Sequence, residues 1–304
     1  MTAQSRLHAE RTAEKKASDQ VLRKILVGID FSATSRAALN IAEDLAHIYG
    51  SEMILAHVIN PVNASSPDAG EVFTTSDLGH AMSEDLDRLS KQINETGISS
   101  RAVLLEGSVT SAIEEMVLSH KLDLIVLGTH GAHNIERLIL GSTAEAILRF
   151  VSCPVMTIGP RCASTPVKPT GFQTILYATA LSPRVESALC YAAAFAGSAK
   201  THIELVHAVE QIDAKSIHDI ESVFLEQEKV LAAQLKDSTS KVTSHLVYGE
   251  PVEAIIDRAR KSEADLLILE VHRRRQFRFF RPESTAYRII CSAPCPVLTL
   301  MSKT

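Results

Sequence analysis

The stretch Gly128-x2-Gly131-x9-Gly141-Ser142-Thr143 collects three glycines and a pair of hydroxyls directly after the apolar run LDLIVL. Glycine lets backbone N–H groups approach an anion without an obstructing Cβ, and the amino end of a helix adds partial positive charge for the same anion. A helix beginning near Ser142 makes this stretch a candidate phosphate cradle. Two further apolar runs end in polar groups that can share a crevice with it: KILVGI runs into Asp30, and MILAHV carries His57 and Val58. The chemistry on offer is anion binding rather than fast phosphoryl transfer. No GK[ST] lysine is present, and Glu136 and Glu145 fall on expected helical faces. Slow hydrolysis or autophosphorylation on Ser142 or Thr143 stays open. So do the structural alternatives, in which the glycines are ordinary turn residues and Asp30 caps a helix.

The elements that must position these residues alternate. Short β-branched runs (KILVGID, MILAHVI, SRAVLLEG, LDLIVLG, PVMTIG) are separated by amphipathic stretches (TSRAALNIAEDLAHIYG, SAIEEMVLSHK, STAEAILRFV), which is the pattern of βαβ units around a parallel sheet. In the first helix Ala38, Ile41, Ala42, Leu45, Ile48 and Tyr49 recur at three- and four-residue intervals and predict one buried stripe. Ser32 or Thr34 is placed to cap its start. In such sheets ligands bind beyond the carboxyl ends of the strands, where the strand order reverses. The strand ends, where Asp30, Val58 and Gly128 lie, are therefore the places to look for a site.

The whole pattern occurs twice. KILVGIDFSATSRAALNIAEDLA superimposes on TILYATALSPRVESALCYAAAFA 150 positions later, and LLEGSVTSAIEEMV, LDLIVLG and CPVMTI on LVYGEPVEAIIDRA, ADLLILE and CPVLTL at 142. The expected organisation is a polar mobile tail over 1–20, a domain over 21–160, a linker over 161–171 within PRCASTPVKPTG, and a second domain over 172–304. The length allows two separate cores. The second copy loses the cradle. Asp30 becomes Ala180, Val58 becomes Ala208, Gly128 becomes Glu270, Gly131 becomes Arg273 and Gly141 becomes Glu283, with only Ser284 and Thr285 keeping the hydroxyl pair. Carboxylates at 270 and 283 would lie close to the phosphate position and repel an anion.

Composition narrows the partners. The 304 residues carry a net charge of -5 from 31 basic and 36 acidic side chains, which gives no overall field to draw in nucleic acid or an anionic membrane. The run from Arg273 to Arg281, arginines interleaved with aromatics, is the local exception. Phe277 and Phe280 match Ile135 and Leu138 of the first copy, so they read as core rhythm with arginines on the solvent side, with anion capture and nucleic-acid binding left as alternatives. No apolar run approaches the roughly 18 residues of a membrane span, and the opening residues lack the apolar region of a signal peptide. A cytoplasmic protein is expected. The five cysteines are odd in number and without C-x2-C spacing, which predicts reduced thiols. His57 and its mate His207 are expected to be packed strand residues; His130, which with His133 lies in the glycine loop, is expected to face solvent, with an approach to the phosphates as the alternative.

A strand followed by G-x2-G-x9-G-S/T resembles the nucleotide-binding segment of the ATP-binding universal stress proteins, and the likeness covers nearly all of both copies. It implies a flavodoxin-like, adenine-nucleotide α-hydrolase-like α/β fold in each domain, a five-stranded parallel sheet in order 3-2-1-4-5 flanked by helices. It implies ATP as the ligand of the first domain, with Mg2+ carried on the triphosphate near Asp30. Gly28 and Ile29 would line the base, Val58 would meet adenine through its backbone, and Asp30 would contact the ribose. Leu127 and Gly128 would lie on the ribose side, and Gly131, Gly141, Ser142 and Thr143 at the phosphates. The second domain would serve as the partner surface of an internal pseudo-dimer, joined through the terminal strands PVMTIG and PVLTLM, whose edges need cover. A further homodimer and an unknown protein partner complete the expected contacts. The implied role is nucleotide-dependent regulation or stress protection; the alternatives are a nucleotide-free interaction module and a slow ATP hydrolase.

Overall fold

The computed structural model describes residues 22–59, 75–129, 140–162, 167–168, 170–181, 186–196, 201–210, 214–235, 240–272 and 284–302. The expected tail over 1–20, Gly131, His130, His133, the run Arg273 to Arg281 and Glu283 lie outside them. The first repeat is built from β1 (Lys24–Gly28), α1 (Ala33–Tyr49), β2 (Glu52–Ile59), α2 (Thr75–Glu95), β3 (Ser100–Glu106), α3 (Val109–His120), β4 (Leu124–Gly128), α4 (Ser142–Phe150) and β5 (Val155–Ile158). The second follows the same plan: β6 (Thr174–Ala178), α5 (Glu186–Ala196), β7 (His202–Val209), α6 (Ala214–Gln234), β8 (Lys241–Tyr248), α7 (Pro251–Lys261), β9 (Leu266–His272), α8 (Thr285–Ser292) and β10 (Val297–Ser302).

Each repeat forms the expected parallel sheet in order 3-2-1-4-5, and the two join into one ten-stranded sheet, β3-β2-β1-β4-β5-β10-β9-β6-β7-β8. The joint is antiparallel, with Val297 opposite Thr157, Leu298 opposite Met156 and Thr299 opposite Val155. The two terminal strands are therefore neighbours, as their need for cover predicted. The expectation of two separate cores is corrected. Apolar residues alternate along each strand, Ile25 and Val27 to one face and Leu26 to the other, and each face carries a single cluster that runs through both repeats. The cores divide by sheet face because the seam leaves no boundary at which an apolar layer would have to stop.

Helix α1 buries Ala38, Ile41, Ala42, Leu45 and Tyr49 as the spacing required. Ser32 is its cap, and Gly50 ends it in the left-handed region at φ 69°. Tyr49 carries the helix across the pseudo-twofold: its hydroxyl donates to the Ala194 carbonyl at 3.0 Å and its ring packs edge-on against Phe195. The segment between the repeats is tied down as well, the Val167 amide donating to Asp44 Oδ2 at 2.9 Å. All five cysteines are unpaired, four buried and Cys190 exposed. Among the described residues no helix is long and apolar enough to cross a membrane.

One buried feature of the second repeat had no counterpart in the sequence reading. Glu204 on β7 is 2% exposed, and Arg258 on α7 donates to both its carboxylate oxygens at 2.7 and 2.8 Å and to His245 Nε2 at 2.9 Å. The matching positions in the first repeat are Ile54 and Met116, both buried in the same cluster. A buried ion pair contributes little net stability, yet removing one partner strands the other charge at a cost of about 3 kcal/mol or more. Arg258→Met should therefore lower the unfolding free energy by about that amount. The double variant Glu204→Ile/Arg258→Met, which transplants the first repeat's pair, should recover it. Urea unfolding followed by circular dichroism decides; a double variant as unstable as the single one would refute this account of the pair.

Candidate functional site

β1 ends at Gly28, and the chain turns sharply into α1 through Phe31, whose φ is 60°; Leu181, its mate in the second repeat, has φ 55°. A left-handed non-glycine residue is strained by roughly 1 kcal/mol or more, so local bonds must hold the corner. Asp30 Oδ1 accepts from the Ser32 amide at 2.9 Å, and Ser32 Oγ accepts from the Ser35 amide at 3.1 Å. From the next strand, His57 Nδ1 donates to the Ile29 carbonyl at 2.6 Å, and its ring lies 6.0 Å from Phe31. A carbonyl only accepts, so Nδ1 carries the proton. His207 repeats the arrangement on Thr179 at 2.9 Å. These histidines are corner clamps rather than plain packed strand residues.

Asp30 thus does part of the capping work that the structural alternative assigned to it. The residue is exposed, and among the described residues its Oδ2 has no hydrogen-bond partner. One carboxylate oxygen is left at the lip of a crevice. The crevice floor comes from β4. A Cβ on Gly28 would fall 2.5 Å from Leu127 Cδ2, so the glycine lets Leu127 lie across β1. A Cβ on Gly128 would fall 2.8 Å from the Ser35 amide nitrogen and the Thr34 carbonyl carbon. Gly128 is therefore required by the start of α1 seated on the end of β4.

The third wall is the amino end of α4. The Gly141 amide donates to the Thr129 carbonyl at 2.7 Å, and Thr129 is anchored in turn to the Ile158 carbonyl of β5 at 2.9 Å. The N-cap of α4 is Gly141 itself, so no side chain caps the first turn. Its amides point outward with no acceptor from the cap residue, and the helix dipole adds to them.

Gly28 at the end of β1 with Ile29 and Asp30 just beyond it, Val58 from β2, Leu127 and Gly128 from β4, and Gly141, Ser142 and Thr143 at the start of α4 border one cavity. Two of its walls were missed by the sequence reading: Val109 and Ile113, at the amino end of α3. Their i, i+4 apolar spacing directly after a strand was the available signal. Among the described residues no three His, Cys, Asp or Glu side chains gather into a metal site.

The second repeat is organised differently at the same places. The N-cap of α8 is Ser284, and its Oγ accepts from the Tyr287 amide at 3.3 Å, so this helix caps itself. The Glu270 carboxylate, expected near a phosphate position, is engaged by a neighbouring strand. The Tyr177 hydroxyl donates to Glu270 Oε2 at 3.2 Å; burial, and after it the neighbouring carboxylate, push the tyrosine pKa up. Ala180 and Ala208 bring no polar side chain to the positions of Asp30 and Val58.

Two stretches of the chain, residues 22–159 and 171–300, each match the model of the universal stress protein family. A universal stress protein of Mycolicibacterium smegmatis is 26% identical over 294 residues, covering 91% of this chain and 96% of that relative. One from Thermus aquaticus is 31% identical over 144 residues, 45% of this chain and 99% of its own length. Among solved structures, a universal stress protein from Archaeoglobus fulgidus superimposes with a TM-score of 0.67 at 19% identity, covering 91% of this chain and 96% of that one. That likeness speaks to the fold.

The contact between Gly128 and α1 makes its own prediction. Gly128→Ala should destabilise the protein by about 1–3 kcal/mol, because the new methyl meets backbone that cannot swing away. Gly79→Ala is the control, since there a Cβ meets only side-chain atoms at 3.9 Å or beyond and the site is helical. It should be neutral or stabilising by up to about 1 kcal/mol. Thermal unfolding reads both, and a Gly128→Ala protein melting with the wild type would disprove the packing argument.

Proposed function

The chain belongs to the universal stress protein family, and from that premise we propose that its first repeat binds ATP and that the protein acts as a cytoplasmic nucleotide-dependent regulatory or stress-protective factor. The observation that carries this reading is the uncapped first turn of α4, opening on Gly141 beside the free oxygen of Asp30. Phosphate oxygens would be met by the Ser142 and Thr143 amides and hydroxyls, with Gly131 extending the cradle. Asp30 would face the ribose and any magnesium carried on the triphosphate. Ile29, Leu127, Val109 and Ile113 form an apolar wall suited to a base, and the Val58 backbone, at the same cavity, would hydrogen-bond its edge.

The reading is asymmetric. In the second repeat Ser284 supplies the cap oxygen that a phosphate would otherwise provide, and Glu283 stands where Gly141 does, so ATP has no comparable site there. The second repeat acts instead as a built-in partner for the first. Fast turnover is not part of the proposal, because no lysine of the GK[ST] type grips the phosphates.

Calorimetric titration with ATP and magnesium should give a stoichiometry near one per chain. A value near two would overturn the asymmetry, and no binding would overturn the reading and leave a nucleotide-free interaction module. Gly141→Glu, which gives the first repeat the second repeat's residue, should abolish binding with the circular dichroism spectrum unchanged. Wild-type affinity in that variant would remove the phosphate-cradle assignment.

A further inference from the structure

Leu140, the residue before the α4 cap, is 2% exposed, so its amide needs a buried acceptor. The acceptor comes from the other repeat: the Leu140 N–H donates to Tyr287 Oη of α8 at 2.9 Å, and Tyr287 is itself 4% exposed. The next amide, Gly141, is taken by Thr129 at 2.7 Å from the end of β4. Two successive amides are thus pinned from two directions, one inside the first repeat and one from across the seam. Together they fix the peptide from which the uncapped turn of α4 starts.

The bond runs one way only. At the 142-residue offset the mate of Tyr287 is Glu145, which pairs with Arg149 on its own helix. The mate of Leu140 is Pro282, which has no N–H to donate. A reciprocal bond is ruled out because its donor is missing. A contact serving only to glue two similar halves together would be expected on both sides of the pseudo-twofold; this one exists only where the helix end is open.

We infer that Tyr287 is a positioning residue for the anion-binding end of α4, so that the first repeat's site is completed by a hydroxyl from the second. The inference rests on the ATP reading above and gives the second repeat a direct part in it. Tyr287 does not border the cavity; it acts through the Leu140 peptide. Cys291, one turn further along α8, borders the same amide and offers a weaker sulfur acceptor. Loss of the tyrosine oxygen should therefore loosen the helix start rather than release it.

The test is Tyr287→Phe, titrated with ATP and separately with adenosine, beside the wild type. ATP affinity should fall about three- to tenfold, the size of one hydrogen bond, while adenosine affinity stays at the wild-type value. An unchanged ATP affinity, or equal losses for both ligands, would overturn the inference, since a general loosening does not single out the phosphates. A wild type that binds no ATP sinks the earlier reading instead. If the variant does not fold, hydrogen exchange at the Leu140 amide of the wild-type protein decides. Protection that increases when ATP is added supports the anchor, and exchange as fast as an exposed loop, or unmoved by ATP, overturns it.

Discussion

The antiparallel pairing of β5 with β10 is the constraint on which the rest of the molecule depends. Left alone, each strand would end its sheet with a row of unsatisfied N–H and C=O groups. Joined at Met156 and Leu298, they make one sheet of two, and the direction of the pairing follows from a pseudo-twofold axis, which reverses one repeat relative to the other. Apolar layers then continue across the joint on both faces, α1 meets α5 through Tyr49 and Phe195, and α8 comes to lie against the start of α4.

Much of this was legible in the residues. Alternation of β-branched runs with amphipathic stretches specified strands and helices in order, the duplicated segments specified two copies of one plan, and the exposed-edge argument located the seam. The division of the core was not legible. Periodicity says that Leu26 and Ile25 are both buried, yet which apolar layer each joins depends on what lies beyond the fifth strand. The Glu204–Arg258 pair was equally opaque: the repeat offsets set each charge against an apolar mate, Ile54 and Met116, but only the packing of α7 on β7 shows that the two charges meet.

At the candidate site, residue types were a better guide than residue roles. The glycines, the hydroxyl pair and Asp30 were recognisable as turn and cap chemistry, and those of them that are described border the same cavity. The reason for Gly128 was different from the one its position suggested, since helix packing excludes a side chain there. Glu270 turned toward Tyr177 because a buried carboxylate takes the nearest strong donor. The Tyr287 contact spans 147 positions and the seam, beyond any local pattern.

Covalent duplication also changes what heredity can do with such a molecule. When two identical subunits pair about a twofold axis, every substitution is made twice, so a change that suits one crevice is imposed on the other. Here the two crevices are written by separate codons. Leu140 can keep an amide while its mate becomes proline, and Gly141 can stay bare while its mate becomes glutamate. On the proposed reading one half is released from ligand capture and is free to specialise in support, a division of labour that a homodimer of the same architecture has no means to encode.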